Sequence, residues 1–314
     1  MYYLGIDLGG TNIAVGLVNE ELKIVAKDSL PTPATDPVAI VDTMAALCRR
    51  LVAQENIAFE DVAYAGIACP GIVDREGGEV IYTPNIRFDH FPLSRVLCEL
   101  LPLKAVYLEN DANAAALGEA KAGGARGARH SIMITLGTGV GGGIVIDGQV
   151  YMGFNCAAGE LGHMVIEKDG VPCTCGRRGC FEVYSSATGL VRMTREKMEQ
   201  RPDSLMHELA RKHGKVNGRT AFDADRAGDA AGGEVVAEYV SYLACGIVNL
   251  INIFQPEVLV IGGGVCNERE NLLSRLIPQV KKSAYGEGRV PSTVIRIAEL
   301  GNDAGIIGAA CLGL

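Results

Sequence analysis

Four soft metal ligands are gathered in one short stretch of this 314-residue chain. His163 is followed by Cys173-Thr174-Cys175 and then by Gly176-Arg177-Arg178-Gly179-Cys180. One imidazole and three thiols match a closed tetrahedral site of the zinc type. Such a site has no open position, so its role is structural and not hydrolytic. The plain alternative is three reduced thiols in a loop, against which their density argues. A zinc-ribbon nucleic-acid module is the competing functional reading. It carries two separated ligand pairs and a basic face, and Arg177 with Arg178 does not make one.

Three glycine-bearing loops suggest phosphate chemistry. Asp7-Leu8-Gly9-Gly10-Thr11-Asn12 lies between two strand-like runs. Its glycines let successive N–H groups converge on an anion, Thr11 and Asn12 add donors, and Asp7 can hold Mg²⁺ through water. Read alone, it is equally an ordinary hairpin turn. Leu136-Gly137-Thr138-Gly139-Val140-Gly141-Gly142-Gly143 is a second loop of this kind. It lacks the Gly-Lys-Ser/Thr ending of a P-loop and the helix that follows a dinucleotide fingerprint. The third, Gly262-Gly263-Gly264, ends a strand before a helix, where bare backbone can lie against an adenine and ribose. Two phosphate-type hairpins in two halves suggest one nucleotide clamped between domains.

Asp111, in Glu109-Asn110-Asp111-Ala112-Asn113, stands at a helix start. A carboxylate there is most simply a cap favoured by the helix dipole. Beside the phosphate loops, and with Asn110 exceeding what a cap requires, it reads instead as a general base for a hydroxyl.

These residues need elements to position them. Strands are expected at 3–7, 13–18, 22–26, 62–69, 103–108, 131–136, 143–146, 258–261 and 293–298, where short β-branched runs meet Gly and polar turns. Helices are expected from Pro37 after the cap Asp36, and at 111–122, 187–198, 234–254 and 303–312. Residues 201–229 read as a polar surface excursion with little core. Hairpins followed by helix–strand alternation occur twice, giving an α/β chain of two similar halves, about two domains by length.

Composition sets the remaining bounds. The net charge of -8 and the lack of a basic cluster argue against nucleic acid as a partner. The 40 glycines point to tight backbone approach, here to phosphate. Met1 to Gly10 does not read as a signal peptide, and no apolar run approaches the roughly 18 residues of a membrane span. A cytoplasmic location is therefore expected, with reduced cysteines. The scattered Cys48, Cys69, Cys98, Cys156, Cys245, Cys266 and Cys311 are expected to be small buried hydrophobes.

Taken together these motifs, with Ala158-Gly159-Glu160-Leu161-Gly162-His163, resemble the ROK family over essentially the whole chain, and most of all its sugar kinases. The resemblance implies an α/β fold of the actin-like ATPase (ribonuclease-H-like) type, with ATP and a hexose meeting in a central cleft between two domains. These would be residues 1–115 plus 300–314, and a larger domain, 116–299, bearing the zinc loop. Asp111 would be the base on the sugar 6-hydroxyl. Asn110, Glu160, His163 and Glu182 would hold the other hydroxyls, with Gly71 lining the pocket. ATP and Mg²⁺ would lie on Asp7, Gly9, Gly10, Thr11, Asn12, Thr138, Gly139, Gly141, Gly262, Gly263 and Gly264. Structural Zn²⁺ would sit on His163, Cys173, Cys175 and Cys180. A homodimer or homotetramer is expected. Two departures are Asn12, where many relatives have Lys, and Cys156, where Gly is common.

Glucose is the expected hexose, with mannose, fructose, allose and N-acetylhexosamines as alternatives. A non-catalytic sugar-responsive repressor, which would carry a helix-turn-helix before Asp7, is the less expected alternative. Zinc loss is expected to act on the sugar contacts before the phosphate loops, which carry no ligand.

Overall fold

The computed structural model describes residues 1–33, 36–83 and 86–314. The chain divides into two compact units, residues 1–131 with 143–159 and 299–314, and residues 132–142 with 160–298.

The first unit opens with β1 (Tyr2–Leu8), β2 (Asn12–Asn19) and β3 (Ile24–Pro31), an antiparallel meander. Helix α1 (Pro37–Gln54) follows. Asp36 caps it by accepting from the Val38 N–H at 2.9 Å, and Pro37 takes the first helical position. Strand β4 (Val62–Cys69) returns parallel to β1. A stretch for which no element was expected forms β5 (Ile72–Asp74), β6 (Glu79–Tyr82) and β7 (Asp89–Phe91), a small antiparallel sheet, and helix α2 (Leu93–Leu100). Strand β8 (Val106–Asn110) then lies parallel to β4 and leads directly into helix α3 (Asp111–Ala122). The sheet order is β3-β2-β1-β4-β8. Ile40, Met44, Leu47 and Leu51 of α1 are fully buried in one core with Leu4, Ile6 and Leu8.

Strands β9 (Ser131–Leu136), β10 (Val140–Ile146) and β11 (Gln149–Val150) start a second sheet. Helices α4 (Phe181–Ser185), α5 (Ala187–Gln200), α6 (Met206–Lys212), α7 (Thr220–Arg226) and α8 (Ala230–Phe254) come next. Strand β12 (Val258–Gly262), helix α9 (Glu270–Ser283), strand β13 (Val294–Ile297) and helix α10 (Ala304–Ala310) close the chain. The second sheet runs β11-β10-β9-β12-β13, so it repeats the order of the first.

Helix α10 packs against β1, β4 and α3. A β-carbon on Gly5 or Gly66 would run into the carbonyl oxygen of Ile306 or Ala309, so bare backbone is what lets the helix settle on the sheet. Part of the glycine excess therefore serves packing, where phosphate approach was expected.

Three further expectations are corrected. Residues 201–229 do contribute core: Met206 and Phe222 are fully buried on α6 and α7. Of the scattered cysteines, Cys245 is exposed and Cys98 and Cys156 are half-buried. Helix α8 has the length and composition of a membrane span, but more than half of that window is buried within the protein. It is a core helix, its inner face carrying Val236, Tyr239, Leu243 and Ile247.

Candidate active site and metal centre

The first unit carries one set of predicted site residues. Gly9, Gly10 and Thr11 form the turn between β1 and β2, closed by the Gly9 N–H on the Asn12 carbonyl at 2.9 Å. Thr32, to which the sequence assigned no role, braces it. Its N–H donates to the Thr11 carbonyl at 2.8 Å and its hydroxyl to the Gly9 carbonyl at 2.6 Å. Gly10, Thr11 and Asn12 are exposed, as an anion-binding turn requires.

Asp7 is aligned with Ala68 of β4, and Ala68 with Glu109 of β8, so the ends of three strands bring Asp7 near Asp111. Burial first, and then the charge of Asp111, push the Asp7 carboxyl up to about 6. Asp111 is in contact with solvent, yet the protein atoms around it strip enough water to raise its pKa above the ordinary value. The N–H groups of Ala112 and of Asp111 itself oppose that rise.

The helix cap is Asn110. Its Oδ1 accepts from the N–H of Ala112 at 2.9 Å and of Asn113 at 3.2 Å, while its Nδ2 donates to the Gly71 carbonyl at 3.0 Å. The amide has two N–H donors, so one remains for a substrate hydroxyl. Gly71 is held at φ +92° against Tyr82, a conformation that L side chains rarely adopt.

Glu109 was quoted in the motif without a role. It is buried, and its Oε1 accepts from the Asn110 N–H at 2.9 Å and from Asn113 Nδ2 at 3.1 Å. Arg75 places Nη1 3.3 Å from its Oε2. A charged residue at the end of a buried strand was the available signal for Glu109. Arg75 gave none.

The second unit carries the other set. Gly137, Thr138 and Gly139 form the turn between β9 and β10, and the Gly137 N–H reaches the Gly139 carbonyl at 3.0 Å. The start of α5 takes up its acceptors. The Ala187 N–H donates to the Gly137 carbonyl at 2.8 Å, and the Thr188 hydroxyl to that of Thr138 at 2.7 Å. Among the described residues no hydrogen bond uses the N–H of Thr138 or Gly139. Gly141 lies past the turn, inside β10. Gly263, at φ +89°, packs on the backbone of Leu136, so the third glycine loop abuts the second. Gly264 has open space beside it.

The ligand atoms of His163, Cys173, Cys175 and Cys180 all lie within 4.8 Å of one another. Cys173 Sγ is 3.7 Å from His163 Nδ1, and Cys175 Sγ is 3.7 Å from Cys180 Sγ. The edge of a tetrahedron with metal–sulfur bonds of about 2.3 Å is about 3.8 Å, so these residues fit a four-coordinate metal. Burial, and then the neighbouring sulfurs, push the Cys180 thiol up to about 12. The backbone N–H of Arg177 holds Cys175 below its usual value. Three sulfurs this close could all be thiolates only with a cation among them.

Glu160 is exposed and opens a single 3₁₀ turn, Leu161–His163. A β-carbon on Gly162 would strike the Val140 carbonyl, so this turn is seated against the start of β10. Glu182 also faces β10: its Oε2 accepts from the Val140 N–H at 3.0 Å, and Cys173 Sγ is 3.8 Å from its Oε1. The second glycine turn carries none of the four ligands of the Cys/His knot, but Glu182 links it to Cys173.

Two similarly ordered sheets, each with a glycine turn in its first hairpin, define an actin-like ATPase fold. The chain belongs to the ROK family, whose model matches residues 3–314. The glucokinase of Halalkalibacterium halodurans is 39% identical over 315 residues, covering 99% of this chain and 94% of that protein. The glucokinase of Streptomyces coelicolor is 37% identical over 312 residues, 98% of this chain and 96% of that protein. Among solved structures, a ROK family glucokinase from Streptomyces griseus in complex with glucose and AMPPNP superposes with a TM-score of 0.79. It is 34% identical, with 99% of this chain and 98% of that chain covered.

Proposed function

We propose that this protein is an ATP-dependent glucose kinase that forms glucose 6-phosphate and ADP. The observation that carries the mechanism is the juxtaposition of Asp111 with Asp7 at the end of the phosphate hairpin, with Asn110 doing the capping. Asp111 takes the proton of the sugar 6-hydroxyl as that oxygen attacks the γ-phosphorus. The bond from phosphorus to the β–γ bridging oxygen breaks, and ADP leaves with its electron pair. Thr11, Asn12 and the amides of the first glycine turn offer donors to phosphate, and the amides of the second glycine turn offer donors of the same kind. Asp7 holds Mg²⁺, which supplies charge neutralisation when bound.

Asn110, Glu160, His163 and Glu182 hold the other hydroxyls in this reading. His163, Cys173, Cys175 and Cys180 hold zinc, whose closed ligand set gives it a structural role. The same reading takes the enzyme to be cytoplasmic and a homodimer or homotetramer, the latter measurable by light scattering.

The test is ADP release with glucose, mannose, fructose, allose and N-acetylglucosamine, with the phosphorylated carbon read by NMR. Glucose should give the highest kcat/KM and a 6-phosphate. No sugar-dependent ADP release overturns the kinase reading, and a clear preference for another sugar overturns glucose alone.

A further inference from the structure

We propose that Glu182 is a positioning residue for the second phosphate turn, residues 137–139, beyond any contact it makes with a sugar. The nucleotide half of this inference rests on the kinase reading above, and the backbone half stands without it.

Three observations within the second unit converge. Glu182 Oε2 accepts from the Val140 N–H at 3.0 Å, the first amide after the turn. A β-carbon on Gly139 would fall on that same oxygen, so the carboxylate occupies the space that glycine leaves. The helix that carries Glu182 is itself fixed. Phe181 is fully buried against Gly246, where any β-carbon would enter its ring, and the Tyr239 hydroxyl donates to the Ser185 carbonyl at 2.6 Å.

The consequence is mechanical. The segment 182–188 holds the turn at three places, through Glu182 on Val140, Ala187 on Gly137 and Thr188 on Thr138. Two of these ties take up carbonyls, and only Glu182 takes up an N–H. Without it the Gly139–Val140 peptide plane loses its tie to this segment, and the Gly139 N–H, whose own plane is held by Thr188 on the Thr138 carbonyl, has its direction secured from one side only. A preformed anion site depends on that direction. Glycine at 139 is then needed because a side chain there would evict the carboxylate.

Hydrogen exchange at Val140 and titration with AMPPNP, on the protein as purified, test this with four variants. Glu182→Gln keeps an acceptor oxygen, so Val140 exchange should stay slow and AMPPNP affinity within about twofold. Glu182→Ala removes a charge-assisted bond, so exchange should speed up and affinity fall about tenfold. Gly139→Ala should reproduce both effects by displacing the carboxylate. The double variant Gly139→Ala/Glu182→Ala should lose no more than Glu182→Ala alone.

Unchanged Val140 exchange in Glu182→Ala overturns the proposal. So do additive losses in the double variant, which would mean that the methyl group added at position 139 obstructs phosphate directly. If the unmutated protein fails to bind AMPPNP, the kinase reading is at fault, and the exchange measurement still decides the role of Glu182.

Discussion

Asn110 and Asp111 divide the work of a single helix start. Asn110 Oδ1 accepts from the N–H groups of Ala112 and Asn113, and Asp111 Oδ1 lies 2.8 Å from the same Ala112 N–H. Because Asn110 alone reaches both amides, Asp111 is not needed as the cap and its second oxygen is available to a substrate. Asp111→Asn should therefore leave folding and AMPPNP binding close to normal while kcat falls by about 10²–10⁴, the usual worth of general-base help. Near-normal kcat at saturating sugar would remove Asp111 from the mechanism.

The raised carboxyls of Asp7 and Asp111 set the acid side of the pH profile. In the proposed mechanism both act in ionised form, Asp111 to take a proton and Asp7 to hold the metal, so activity should be lost as pH falls through their raised values. Asp7 protonates near pH 6, and the acid limb of kcat/KM should lie well above the ordinary carboxylate range. Asp111→Asn removes the smaller cause of the Asp7 shift and leaves burial, the larger one. NMR titration of Asp7 should then show its pKa lowered but still above the ordinary value. A limb near pH 4, or an Asp7 indifferent to Asp111, would contradict the geometry.

Glu119 predicts a stability effect away from the chemistry. This fully buried carboxylate on α3 accepts from the N–H of Gly124 at 2.7 Å, of Glu299 at 3.2 Å and of Leu300 at 2.9 Å. It fastens the segment leading to α10 onto α3. Glu119→Ala leaves those amides without their acceptor, and about 3 kcal/mol of stability should be lost. A urea midpoint shifted down at unchanged slope would report this. A shift below about 1 kcal/mol would mean that water replaces the carboxylate.

What the sequence made legible follows the strength of local signals. Strands 62–69 and 131–136 and helix 111–122 match the expected bounds because each is an apolar run or a strong helix former ended by proline or glycine. Strands β5, β6 and β7 are three or four residues long, too short to display a period of two. Phe222 was hidden for the opposite reason, as one large apolar side chain among polar neighbours. The Cys/His cluster was legible because Cys and His are chemically distinctive. Glu109 with Arg75, and Thr32 beneath the first phosphate turn, were not, since nothing in their spacing shows what they meet in space.

Removal of zinc should weaken both substrates, by two separable routes. His163 turns Nδ1 toward Cys173 Sγ, 3.7 Å away, so a metal on Nδ1 leaves Nε2–H to donate to a sugar hydroxyl. Losing the metal frees the ring and the Glu160–His163 turn, and glucose affinity should fall. The second route runs through Glu182, whose Oε1 lies beside Cys173 and whose Oε2 holds Val140. A knot that opens no longer supports that carboxylate, so AMPPNP affinity should fall as well, though less, because the turn keeps its ties to Ala187 and Thr188. Elemental analysis should first find about one zinc per chain. Chelated protein still folded by circular dichroism can then be titrated with glucose and AMPPNP separately. In the Glu182→Ala background, chelation should still cost glucose affinity but cost AMPPNP nothing further, because the second route is already cut. Unchanged glucose affinity after chelation would leave the metal a purely structural role. A full further loss of AMPPNP affinity in Glu182→Ala would route the coupling through some residue other than Glu182.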